Sequence, residues 1–157
     1  MRLSEDQLPK HLANNLLPIY IVSGDETLLV QEACDTIRQN CREKGFEERE
    51  VLHVDAGFDW QELLSHANAL SLFSEKKLIE LRFPTGKPGD AGSKMLVEYA
   101  SNPAPDNVLM IICNKLDASS TRSKWYKAVE EAGASIQTWP IAAGHLPKWI
   151  QRRLAQA

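Results

Sequence analysis

A chain of 157 residues with 43% hydrophobic and 25% charged residues has the composition of an ordinary globular protein, and its length suits one core that needs no disulfides. The formal charge of −3 carries no global nucleic-acid signature, and no apolar run approaches the roughly 20 residues needed to span a bilayer. The amino terminus, "MRLSEDQLPK", lacks a signal-peptide core, so a cytoplasmic location is expected.

Along the chain, a short amphipathic start places Ser4 and Gln7 at capping-box spacing. "LPIYIVSG" (17–24) is a continuous apolar run closed by glycine, the pattern of a buried strand. Over 27–44, Val30, Cys34, Ile37 and Cys41 recur at helical spacing, and Gly45 supplies the stop. "REVLHVDA" (49–56) alternates as a strand, and "DWQELLSHANAL" (59–70) returns to the helical period with Asp59 as its cap. The cycle repeats with a strand at 76–83, a helix centred on 91–101, a fully apolar strand at 107–114, a helix at 120–132 ended by Gly133, and a fifth strand at 134–139. Strands alternating with helices of ten or more residues predict an α/β fold: a five-stranded parallel sheet with helices on both faces.

Around Pro140 the alternation ends, and "GHLPKWIQRRLAQA" reads as a helix leaving the sheet domain. The predicted division is therefore 1–140 and 141–157. The tail carries Lys148, Arg152 and Arg153 with no acid, which leaves −6 for the first 140 residues. A solvated helix face, DNA or a further domain are all partners for that charge.

Cysteines 34, 41 and 113 form no CxxC pair, and the first two share a helix face, which predicts buried free thiols. His11, His53, His66 and His145 are scattered without ligand spacing, and no metal or cofactor is expected.

The first strand and its helix stand where a phosphate loop would lie. That chemistry needs GxxxxGK[ST]: backbone N–H groups to cradle phosphate, a lysine to meet its charge and a hydroxyl for magnesium. Counted from Gly24, the second glycine, lysine and hydroxyl positions are Leu29, Val30 and Gln31. Asp25 and Glu26 add negative charge at the same place. The 76–83 strand ends in Arg82, Phe83 and Pro84, where a hydrolytic relative would carry acids for magnesium and water. Asn114, Asp55 and Asp59 read as turn and cap residues, Ser23-Gly24 is not a GxSxG elbow, and no intrinsic enzymatic activity is expected.

Leu72 and Phe73 lie between Ser71 and Ser74, after a helix and before a strand. Either the pair folds back under the helix end, or it stays in water as an anchor for a partner, holding in reserve roughly 1.5–3 kcal/mol per side chain.

"IYIVSGDETLLVQEACDTIRQ", "GFEEREVLHVDAGFDWQELLSHANALSLFSEKKLIEL" and "NVLMIICNKLD" together resemble the amino-terminal domain of the delta subunit of bacterial DNA polymerase III, over about residues 1–155. The resemblance implies an AAA+-like domain of a clamp-loader subunit that has lost ATP binding. It also implies that Leu72 and Phe73, with Leu70 and Ser71 beside them, enter a hydrophobic pocket of the beta sliding clamp, while the helix over 60–70 presses on the clamp near its subunit interface. Family members often carry glutamine a few residues before the pair; this chain has Asn68, a shorter amide. Implied partners are the clamp and the other clamp-loader subunits, with DNA indirect or weak and no membrane. The family's chains are considerably longer, so this chain is expected to bind the clamp without joining a loader ring. A small nucleotide-dependent α/β enzyme with an atypical phosphate loop at Gly24 is the alternative class, and a DNA-binding domain is a third.

Overall fold

The computed structural model describes residues 1–4, 6–14, 16–55, 57–68, 76–103 and 106–138, with the backbone alone at 64 and 66–68. The elements are β1 (Arg2–Leu3), α1 (Leu8–Asn14), β2 (Ile19–Gly24), α2 (Thr27–Glu43), β3 (Glu48–His53), α3 (Gln61–Asn68), β4 (Lys77–Arg82), α4 (Gly89–Ser101), β5 (Asn107–Asn114), α5 (Ala118–Thr121), α6 (Lys124–Ala132) and β6 (Ala134–Gln137). They build one parallel sheet in the order β1-β6-β2-β5-β4-β3.

The sheet has six strands rather than the expected five. Arg2 and Leu3 pair with Ser135 and Ile136, so the amphipathic start is a two-residue edge strand followed by a helix. Two residues show no period, which is why β1 is invisible to pattern. The capping box follows it: the Ser4 N–H donates to Gln7 Oε1 at 3.0 Å, and the Gln7 N–H to Ser4 Oγ at 3.3 Å.

Alternation along each strand sorts the core into two halves. Ile19, Ile21, Ile79, Leu81, Leu109 and Ile111 face one side, packed against Leu63 of α3, Met95, Leu96 and Tyr99 of α4, and Trp125, Tyr126 and Val129 of α6. Tyr20, Val22, Leu78, Val108, Met110 and Ile136 face the other, against Leu8 and Leu12 of α1 and Val30, Cys34, Ile37 and Cys41 of α2. Helices thus cover both faces, and the central strands β2 and β5 are largely apolar on both sides for that reason.

The helix expected over 120–132 is broken. Asp117 and Ser123 both hold extended N-cap geometry, and the Ser123 hydroxyl donates back to the Ser120 carbonyl at 2.5 Å, so α5 stops and α6 starts afresh. Gly45 ends α2 with φ +96°, a backbone state that glycine adopts without strain. At Gly133 the requirement is proximity: a Cβ there would lie 1.9 Å from the Ile19 carbonyl oxygen. Among the described residues no helix is long and apolar enough to cross a membrane.

Candidate functional site

In an open parallel sheet, ligands bind outside the carboxyl ends of the strands where the strand order reverses. Here that point is the end of β2, which lies between β5 and β6, with Gly24 opposite Asn114 and Ser23 opposite Gln137. The first glycine of the loop that would cradle phosphate is covered, while the residues that follow it, 25–28, are exposed. The Thr138 N–H donates to the Ser23 carbonyl at 2.8 Å, and a Cβ on Gly24 would lie 1.8 Å from Thr138 Oγ1. Gly24 therefore seats the chain that leaves β6.

The next positions are equally committed. Leu29 and Val30 are buried, Val30 within the α1/α2 half of the core, and Gln31 is exposed. Asp25 and Glu26 are exposed at the start of α2, where carboxylates suit the positive end of the helix. Asp25 Oδ2 lies 3.7 Å from Lys115 Nζ, across the mouth between the β2 and β5 loops. A phosphate arriving here would meet two carboxylates, and the side chain at the lysine position is turned into the core.

The other strand ends hold turns. The Gly57 N–H donates to Asp55 Oδ1 at 3.0 Å and the Gln61 N–H to Asp59 Oδ1 at 3.0 Å, so Asp55 closes a turn after β3 and Asp59 holds the start of α3. Asn114 is exposed, and its N–H donates to the Pro84 carbonyl at 3.1 Å. Asp117 Oδ1 accepts from the Ser120 N–H and the Ser119 hydroxyl, which hold its carboxyl well below the ordinary range. Among the described residues no group of three or more histidines, cysteines, aspartates and glutamates is placed to hold a metal ion.

The 59–68 region is tied to the body of the domain by aromatic rings. Phe58, Trp60, Phe83, Trp125 and Tyr126 form a chain with successive centroids 5.1, 5.5, 6.0 and 6.0 Å apart, running from the start of α3 across the end of β4 to α6. Trp60 lies over Gly92 of α4, where a Cβ would come within 2.5 Å of its Cε2. Leu63, the next inward position of α3, is fully buried. Asn68 is the last residue of α3, known by its backbone only, and Leu70, Ser71, Leu72 and Phe73 lie outside the described residues.

One cluster escaped the sequence reading. Glu80, in the middle of β4, has no exposed side-chain surface, and Arg38 of α2 grips it with Nε to Oε2 at 2.9 Å and Nη2 to Oε1 at 2.7 Å. Arg49 of β3 bonds both oxygens as well, and Arg82 Nη2 stands 3.7 Å away. Burial alone would raise the Glu80 carboxyl, but the hydrogen bonds and charges of Arg38 and Arg49 outweigh it and hold it below its ordinary value. The available signal was a lone acid inside the apolar run "KLIELR", which called for a buried partner. The three thiols are free and buried as expected, and burial pushes Cys34 and Cys113 up to about 12 and Cys41 to about 11.

Comparison with known proteins agrees with this architecture. The chain is 28% identical over 156 residues to the DNA polymerase III subunit delta of Escherichia coli, covering 99% of this chain and 46% of that protein. It is also 28% identical over 155 residues to the Haemophilus influenzae subunit, covering 97% of this chain and 45% of the relative. The chain thus spans just under half the length of these relatives. Among solved structures, the Bacillus subtilis DNA clamp loader delta protein superposes with a TM-score of 0.71 at 22% identity, covering 92% of this chain and 45% of that one. The Aeropyrum pernix ORC2 protein superposes at 0.54 with 12% identity, covering 94% and 50%. The family model for the delta subunit of DNA polymerase III matches residues 20–137, and the chain belongs to that family.

Proposed function

We propose that this chain is the clamp-gripping part of a clamp-loader subunit, an AAA+-like domain over 1–140 that acts by binding and remodelling. Leu72 and Phe73 anchor it in an apolar pocket of the beta sliding clamp, flanked by Leu70 and Ser71, with Asn68 as the neighbouring amide. The helix that begins after Trp60 supplies a second contact. A partner shifts an equilibrium only by its differential affinity for the two states, so the anchor alone would grip the ring without opening it. The aromatic chain from Phe58 to Tyr126 supports this division of labour, because it gives α3 a stiff base to push from.

The observation that carries the reading is the fate of the phosphate loop in a chain of this family. With Leu29 and Val30 in or against the core and Thr138 over Gly24, the site has been given to packing. On this reading ATP is hydrolysed by other loader subunits, with this one contributing no hydrolysis of its own, and residues 141–157, which lie outside the described residues, belong to a second helical domain.

Two measurements test this. In a surface-binding assay with the cognate clamp, Leu72→Ala/Phe73→Ala should weaken binding by two or more powers of ten with an unchanged melting temperature, since burying both side chains is worth roughly 3–6 kcal/mol. Retained affinity in the double variant would exclude the anchor. Titration calorimetry with ATP and magnesium should show no heat of binding, whereas micromolar affinity would return the chain to the nucleotide-dependent enzymes.

A further inference from the structure

The guanidinium cluster around Glu80 holds more positive charge than the carboxylate uses. Glu80 accepts four hydrogen bonds, two from Arg38 and two from Arg49, which fills the lone-pair sites of a carboxylate. Arg82 is left beyond hydrogen-bond distance at 3.7 Å, with its side chain 42% exposed. Arg49 is 48% exposed and spends only two of its five N–H donors on Glu80. Asp35 offsets one charge by holding Arg38 at 2.6 Å, so the cluster of three arginines and two carboxylates is net positive. It stands on a domain whose residues before the tail sum to −6.

The surface lies at an open edge of the sheet. β3 is the edge strand, and alternation puts Arg49 and Val51 on the same side as Glu80 and Arg82, with Leu52 turned to the opposite core. Val51, directly opposite Glu80 in the register, is 37% exposed, so α2 leaves this margin of the sheet uncovered. A protein partner seated here would want an apolar pocket for its anchor, and one half-covered valine is a poor one. Planar guanidinium forks with donors to spare suit phosphate, which they can meet in a bidentate manner.

We propose that the open margin of β3 and β4, at Arg49 and Arg82, contacts the phosphate backbone of a nucleic-acid strand. The acidic remainder of the domain repels a polyanion, so the contact is confined to this face. It is a positioning contact without base readout, and it is independent of the clamp reading because it is measured without clamp.

The experiment uses this chain, a fluorescein-labelled single-stranded oligonucleotide, and anisotropy over a salt series starting at low ionic strength. Each phosphate contact to a single strand adds about 0.7 to the slope of log K against log salt. Arg82→Ala should lower affinity several-fold and flatten the slope by about one contact, with no change in melting temperature. Arg49→Ala/Arg82→Ala should remove about two contacts, and Lys124→Ala/Lys127→Ala on α6 none. Asp35→Asn should strengthen binding. No oligonucleotide binding at low salt, or a slope that Arg82→Ala leaves unchanged, would overturn the proposal. So would binding of a poly-glutamate peptide that needs Arg82 while the oligonucleotide does not.

Discussion

Glu80 sets the chemistry at the residue scale. Removing its charge by Glu80→Gln leaves Arg38 and Arg49 facing a neutral amide, and should destabilise the fold by about 2–4 kcal/mol in urea unfolding; the half exposure of Arg49 keeps this below the loss from a wholly buried pair. The pH dependence has a definite sign. The folded carboxyl titrates below the ordinary 4.5, so its contribution is fully present above that value and is lost as pH falls through the folded value. Wild type should therefore lose stability below about pH 4.5 more steeply than Glu80→Gln, read from urea midpoints across the acid range. The thiols give a second test at this scale. With pKa values pushed up to about 11 or 12 by burial, all three should resist a thiol reagent at pH 8 and react only on unfolding in guanidinium. Their burial was readable from the helical spacing of Cys34 and Cys41 and the apolar run around Cys113, whereas the arginines that meet Glu80 come from α2 and β3, far off in the chain.

Among the elements, the two glycine seats differ in what they press against. Gly133→Ala would drive its Cβ to 1.9 Å from a backbone carbonyl of β2, which cannot move without disturbing the sheet. Gly24→Ala would drive its Cβ to 1.8 Å from a threonine hydroxyl, which can rotate. Thermal denaturation should rank Gly133→Ala as the more damaging, with overpacking costs of about 3 kcal/mol against about 1. Thr138→Ala should restore part of the Gly24→Ala loss, since the Thr138 carbonyl oxygen and Cβ remain 3.0 and 3.1 Å away, a rescue with no counterpart at Gly133. The strands and helices were largely readable because a parallel sheet covered on both faces imposes unbroken apolar runs, as in 107–114, and helical periods closed by glycine, as at Gly45. The misses have the same origin. β1 is too short to carry a period, and the break between α5 and α6 depends on how Ser123 spends its hydroxyl, which composition does not reveal.

At the scale of the whole molecule, the aromatic chain joins α3 to the end of β4 and to α6. Interrupting the aromatic chain with Phe83→Leu should leave the sheet intact by circular dichroism and lower the melting temperature by several degrees, because α3 loses the ring on which Trp60 rests; on the proposed reading it should also weaken clamp binding in a surface-binding assay. The layers, the strand candidates, the departures from a phosphate loop at Leu29, Val30 and Gln31, and the family were all legible in the sequence, because they are written in local pattern and in the order of motifs. The tertiary structure alone decided the strand order, the covering of Gly24 by Thr138, the seat of Trp60 on Gly92, and the meeting of three arginines at one buried carboxylate. Each of these joins residues distant in the chain, and it is selected by close packing, hydrogen bonds and charge that exist only once the chain is folded.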